Sequence, residues 1–86
     1  MKVQFDPAPA ETLTSLWARL PRVADGLDEA VDWIEAGDAR ARRRRFSNGM
    51  WAISRVLGGT EWLVLWEEDP PGVAVVRHGC ARGSAP

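Results

Sequence analysis

The sequence has few of the residues that stabilise small disulfide-rich domains or bind metal ions. It contains one cysteine, Cys80, which excludes an internal disulfide. No cluster of cysteines or acidic residues surrounds the single histidine, His78, so the spacing of a metal site is missing. We therefore expect neither a disulfide-stabilised domain nor a metal site, and no cofactor.

Long apolar segments are also missing. The longest uninterrupted apolar run is Trp62–Trp66, whereas a membrane-spanning helix needs about 20 such residues. The opening MKVQFDPAPA lacks the apolar stretch of a secretion signal. No internal repeat or low-complexity tract is present. These absences predict a cytoplasmic protein that does not bind membranes.

The composition is that of a folded chain, since 45% of the 86 residues are hydrophobic and 27% are charged. This length supports one domain with a modest core. We predict a single domain with an ordered core at about 2–79 and a tail at 80–86.

Three short runs rich in Val, Ile and Trp occupy the second half of the chain. They are MWAISRV, EWLVLWEED and VAVVRHG, separated by LGGT and PPG. Short apolar runs between glycine and proline clusters predict consecutive antiparallel strands. The middle run, Glu61–Glu68, is apolar at both alternating sets of positions, so we place it at the centre of a three-stranded meander.

The first half predicts one strand and two helices. KVQFD alternates and stops at a proline, as a short strand does. Apolar residues at helical spacing then predict one helix from about Pro9 to Leu20 and a second from Pro21 to Gly37. The expected fold is α+β with two layers, in the order β-α-α-β-β-β. An αα-hairpin should pack on one face of a mainly antiparallel four-stranded sheet.

The charges are segregated along the chain. Six acids and no base lie between positions 25 and 38. Five arginines then fall within six residues, namely Arg40, Arg42, Arg43, Arg44 and Arg45. One interpretation is a solvated linker. The other is a nucleic-acid-binding segment, because crowded guanidiniums repel each other unless phosphates or carboxylates neutralise them. The following Ser47-Asn48-Gly49 is a turn signal, which places the arginines either on a strand arm or in a loop that enters the Met50 strand.

Strand alternation makes a prediction about the tryptophans. With a simple register, Trp62 and Trp66 share a face with Ala52 and Ser54. The opposite face then carries Trp51, Ile53, Leu63 and Leu65. Since the helices can cover only one face, an exposed face carrying tryptophans would be a partner-binding surface. The alternative is that these tryptophans belong to the core.

The pattern as a whole resembles a known family. The KVQFDP opening, the basic segment before MWAIS, the WLVLWEED strand and the closing VAVVRHG are similar to the RelE/ParE superfamily of bacterial type II toxin-antitoxin toxins. The resemblance extends from Val3 to Gly79. It implies a RelE-like fold, inhibition of bacterial growth and a cognate antitoxin as partner.

The resemblance implies two branches of activity. RelE-like members cleave mRNA on the ribosome with basic residues of the open sheet face, whereas ParE-like members inhibit DNA gyrase. The positions of the basic strand residues in the cleaving branch are occupied here by Ala52, Ser54 and Trp62. Its final arginine is matched by Arg82 or Arg77.

Two hypotheses follow. The first is a ribosome-dependent endoribonuclease acting on mRNA, which the arginine run and the Arg77-His78 pair favour. Its catalytic candidates are Arg77, His78, Arg82 and Arg55, with Arg45 beside them. The second, favoured by the missing lysines, is a non-catalytic toxin that blocks DNA gyrase, or a module that only binds an antitoxin. We assign no nucleophilic role to Cys80.

Overall fold

A computed structural model describes residues 1–46 and 48–82 of the chain. It contains two α-helices and a mixed sheet, which confirms the predicted α+β class. The elements in chain order are β1 (Lys2–Phe5), α1 (Pro7–Arg19), α2 (Pro21–Ala36), a 3-10 turn (Ala39–Arg42), β2 (Arg44–Arg45), β3 (Trp51–Leu57), β4 (Thr60–Glu68) and β5 (Val73–Ala81).

The sheet has five strands in the order β1-β5-β4-β3-β2, so the predicted count of four is wrong. The additional strand is β2, in which Arg44 and Arg45 pair with Ala52 and Trp51. Two adjacent arginines have no alternating pattern, and only their pairing with β3 makes them a strand. β3, β4 and β5 form the expected antiparallel meander, and β1 joins it parallel to β5.

Proline and glycine set the limits of α2. Pro21 is its first residue, where a missing N–H costs no helical hydrogen bond. Gly37 ends it with a φ of 71°, a left-handed conformation that favours glycine. The apolar stripe between them packs on the sheet, and the core includes Leu27 and Ile34.

The β3–β4 turn decides which residues face the helices. Gly58 and Gly59 both have positive φ angles, 60° and 79°, and pair Leu57 with Thr60. Every odd-numbered residue of β3 therefore lies opposite an even-numbered residue of β4. Residues paired across two strands share a face, so the predicted grouping with Ala52 and Ser54 is wrong. The tryptophans of β4 share the helix-facing side with residues such as Ile53.

Burial corrects the expectation of an exposed tryptophan surface. Trp66 is only 1% exposed, and its indole Nε1 donates to the carbonyl oxygen of Ala41 at 3.0 Å. Trp62 is partly buried and packs against the core. The helices cover the face of the sheet that carries Trp62 and Trp66. Neither indole ring therefore lies on the open face.

The end of the chain also differs from the prediction. β5 extends to Ala81, so Cys80 and Ala81 lie in the sheet and not in a tail. The last four residues of that tail, and Ser47 of the predicted turn, lie outside the described residues. Neither helix in the described ranges is long and apolar enough to cross a membrane.

Candidate functional site

The arginine run lies along one edge of the sheet, beyond β3. We call its five members, Arg40 and Arg42–Arg45, the arginine edge. Its first turn is fixed by Asp38, whose carboxylate accepts from the Arg40 backbone N–H at 2.9 Å and from its guanidinium at 2.8 Å. The side-chain hydrogen bond from Arg40, followed by the backbone one, lowers the pKa of Asp38 to about 2. The start of the segment is therefore ordered.

Tryptophan rings support several of these guanidiniums. Arg40 lies over Trp33 of α2 at 4.2 Å from the ring centroid, and Arg55 of β3 lies over the same ring at 4.8 Å. Arg45 lies over Trp51 at 4.5 Å. Such contacts contribute about 0.5–1 kcal/mol each at exposed sites. They hold the arginines against the protein despite their mutual repulsion, which a solvated linker would not do.

Arg43 and Arg44 differ from their neighbours. Neither makes a side-chain hydrogen bond or ion pair with any described residue. With Arg40 they line a depression of about 300 Å³ that Ser54 also lines. Its positive charge and its arginine forks suit an anion such as phosphate.

The depression opens on an unpaired part of β3. The Phe46 N–H donates to the Met50 carbonyl at 2.8 Å, so the even-numbered residues of β3 direct their backbone groups toward β2. β2 begins at Arg44, opposite Ala52. The next such N–H, that of Ser54, therefore has no strand partner within the described ranges and is available to an anion.

The sequence-predicted catalytic residues do not come together. Arg55 lies on the helix side of the sheet, where its guanidinium donates to the Gly26 carbonyl at 2.8 Å and lies 3.3 Å from Glu29. Arg82 pairs with Glu61 at 2.8 Å. Both arginines therefore already have carboxylate partners, on opposite sides of the sheet.

Arg77 is the most heavily paired of these candidates. Its guanidinium lies 3.1 Å from Asp6, 3.2 Å from Glu67 and 3.7 Å from Asp69. Hydrogen bonds from Arg77 to Glu67 and then to Asp6 raise the pKa of Arg77. It occupies a bulge, because Val76 pairs with Trp66 and His78 with Leu65. These contacts join β1, β4 and β5, which is a structural role.

His78 is exposed on the open face of the sheet. It lies in one cross-strand row with Leu65, Ala52 and Arg44. Three strand spacings separate the ends of this row, so His78 and Arg44 are roughly 14 Å apart at their backbones. The only imidazole of the chain therefore cannot act on a group bound between Arg43 and Arg44.

Glu61 was not singled out by the sequence, yet it organises one end of the open face. Its carboxylate accepts from the Ser54 hydroxyl and from Arg82. Those two hydrogen bonds lower the pKa of Glu61, and the one from Ser54 has the larger effect. Two hydrogen-bond donors therefore favour the ionised form of Glu61, which makes it a poor proton acceptor. Within 1–46 and 48–82, no three His, Cys, Asp or Glu side chains cluster to hold a metal ion.

Trp33 and Trp51 are the site residues that sequence reasoning missed. Trp33 reads as one more apolar residue of α2, and Trp51 as an ordinary strand residue. Their contact with arginines depends on the fold of the 3-10 turn and β2, for which the sequence carries no periodic signal.

No protein-family model matches this chain, and no curated protein or solved structure matches it significantly.

Proposed function

We propose that this protein is a growth-inhibiting toxin of the RelE/ParE kind that binds the phosphates of an RNA target through its arginine edge, without cleaving it. The observation that carries the proposal is the pair Arg43 and Arg44. Both guanidiniums line a depression at the unpaired edge of β3 and lack a carboxylate partner among the described residues. A cytoplasmic target such as the ribosome with its mRNA supplies the phosphates.

The chemistry near this depression favours binding over cleavage. Cleavage of RNA without a metal needs a proton acceptor, cations and a proton donor, and each acid or base contributes about 100-fold or more. Arginine is always protonated and cannot accept the proton. Ala52 and Ser54 supply no base, and His78 lies too far away. The arrangement therefore supplies the cations of such a site without its acid and base.

A second candidate is inhibition of a protein target such as DNA gyrase. Five large apolar side chains are exposed among the described residues, and the three most exposed are Trp17 at 46%, Leu20 at 49% and Val56 at 73%. Leu20 lines an apolar surface of α1 and α2 next to Gly58. Exposed apolar surface of this kind favours a protein contact. In either case a cognate antitoxin would neutralise the toxin.

Growth and ribosome binding test the proposal together. Induced expression should arrest bacterial growth, and the product of an adjacent antitoxin gene should relieve the arrest. The double variant Arg43→Gln/Arg44→Gln should restore growth. It should also reduce the slope of log affinity for ribosomes against log salt by about one unit for each phosphate that the variant no longer binds. The matched control is Arg19→Gln/Arg22→Gln, which removes two arginines far from the edge.

Three results would contradict the proposal. Normal growth at high soluble expression would show that the protein is not a toxin. An unchanged salt slope in the Arg43→Gln/Arg44→Gln variant would show that these two arginines do not bind phosphate. Strong cleavage of mRNA on translating ribosomes, read by primer extension, would show that the protein is an enzyme.

A further inference from the structure

A second concavity lies at the end of the sheet, beside the turn that joins β2 to β3. It is a groove of about 490 Å³ lined by both charges, with Arg42 and Arg45 near Trp51 and with Glu67 and Glu68 at the end of β4. Asn48 and Gly49 of the turn also line it. Two arginines and two carboxylates offset each other, so the groove suits a neutral polar ligand better than a second phosphate.

Arg45 is held in one orientation in this groove. Its guanidinium lies over the Trp51 ring at 4.5 Å, and its Nε donates to the Gly49 carbonyl at 3.1 Å. Its two terminal nitrogens have no partner among the described residues. An ordered guanidinium plane on a tryptophan is a surface on which a flat ring can stack, as nucleobases do in single-stranded RNA complexes.

The remaining lining groups can recognise the edges of such a ring. Asn48 accepts from the Met50 N–H at 3.0 Å through its amide oxygen. Its amide nitrogen has no partner among the described residues and can donate to a ligand. Glu68 accepts from Gly72 at 2.7 Å and from Arg42 at 3.4 Å. A carboxylate has about four lone-pair positions, so Glu68 still has acceptor capacity. The groove therefore combines donors and acceptors around the stacking plane.

We propose that this groove binds one unpaired guanine base of a single-stranded RNA. The proposal rests on the proposed function, because the phosphates next to that base would lie on Arg43 and Arg44. Guanine has acceptors at O6 and N7, which fit the donors of Arg42 and Asn48, while Arg45 supplies the plane on which the base stacks. Its N1–H and 2-amino group are donors, which fit a carboxylate. Uracil and adenine lack this combination of two adjacent donors and two adjacent acceptors.

The test compares labelled eight-nucleotide RNAs in a fluorescence-anisotropy assay at fixed salt. The probes are oligouridines that carry one central guanosine, adenosine or abasic site. The wild-type protein should bind the guanosine probe about tenfold more tightly than the abasic probe, the loss expected when one stacked base is removed. The adenosine probe should bind more weakly than the guanosine probe.

Arg45→Lys is the decisive variant, because it keeps the charge and removes the guanidinium plane. It should remove most of the tenfold preference, because the affinity for the guanosine probe should fall much more than the affinity for the abasic probe. Arg43→Lys, the matched control, should keep the preference. An unchanged urea midpoint for both variants shows that they are folded.

The outcomes distinguish the guanine site from the proposed function. Equal wild-type affinity for the guanosine, adenosine and abasic probes would overturn the guanine site, as would a preference that survives Arg45→Lys. The Arg43→Gln/Arg44→Gln variant tests the phosphate contacts by themselves, since it should weaken binding of every probe alike. If that variant binds all probes as tightly as the wild type does, phosphate binding by the arginine edge is contradicted. A guanine preference that remains in that case still supports the guanine site in the groove. If the wild-type protein binds none of the probes, both proposals fail.

Discussion

Trp66→Phe should destabilise the protein by removing the hydrogen bond that ties the arginine edge to the sheet. The Trp66 indole Nε1 donates at 3.0 Å to the carbonyl of Ala41, in the turn that carries Arg40 and Arg42. Both Trp66 and Ala41 are 1% exposed. Phenylalanine would leave the carbonyl without this donor and leave part of the indole volume empty.

The expected cost follows from these two effects. A buried acceptor left without its partner costs about 1–3 kcal/mol. The cavity adds about 1–2 kcal/mol, a small part of the range found for larger truncations. The free energy of unfolding should therefore fall by about 2–5 kcal/mol. A chain of this size has a total stability of roughly 4–13 kcal/mol. The urea midpoint should fall by about 1–5 M if m is about 1–2 kcal/mol/M.

Trp62→Phe is a matched control on the same strand and the same face. The Trp62 Nε1 is buried and has no hydrogen-bond partner among the described residues. The substitution therefore removes an unpaired donor, a gain of about 1–3 kcal/mol, which offsets a cavity of similar size. We expect a net change within about 1 kcal/mol. Urea unfolding followed by circular dichroism measures both variants.

The difference between the two variants is the decisive quantity. If Trp66→Phe costs less than about 1 kcal/mol, or no more than Trp62→Phe, the hydrogen bond to Ala41 does not hold the turn in place. If the hydrogen bond does hold it, Trp66→Phe should also weaken RNA binding, because the turn positions the arginine edge.

Two further predictions concern charge. The pKa of Asp38, about 2, should return toward 3.8 in Arg40→Gln, which NMR titration of the carboxyl can measure. Because this pKa is depressed in the folded state, the pair contributes to stability above pH 3.8 and the contribution is lost as the pH falls toward 2; an unchanged titration would show that Arg40 is not the cause. Arg77→Gln should lower the urea midpoint more at low ionic strength than at high ionic strength, since it leaves three carboxylates close together and salt screens their repulsion. A similar loss at both ionic strengths would indicate that Arg77 acts through packing.

The elements with a local periodic signal were predictable. Pro21 and Gly37 mark the two ends of α2, and both act through the conformation of their own backbone. The β3–β5 meander was predictable because glycine and proline separate three runs of suitable length. β2 was not, since a two-residue strand is defined by its partner alone.

The sequence predicted the composition of the candidate site but not its geometry. Crowded like charges led to the prediction that Arg43 and Arg44 belong to an anion-binding segment, and this stays a prediction. The sequence could not indicate that Arg77 and Arg82 are neutralised by acids, because Asp6 and Glu61 are distant from them in the chain. It also assigned Trp66 to a partner-binding surface, whereas the structure places it in the core.

The sequence by itself determined which segments become the two helices and the four longer strands and where the charges are concentrated, because periodicity, proline, glycine and charge act over a few residues. Tertiary structure decided the face of each strand and the partner of each arginine. The Gly58-Gly59 turn sets a register that places Trp66 against Ala41, and β2 is short enough to leave Ser54 open beside Arg43. Such contacts join residues far apart in the chain, and no local pattern encodes a distance of that kind.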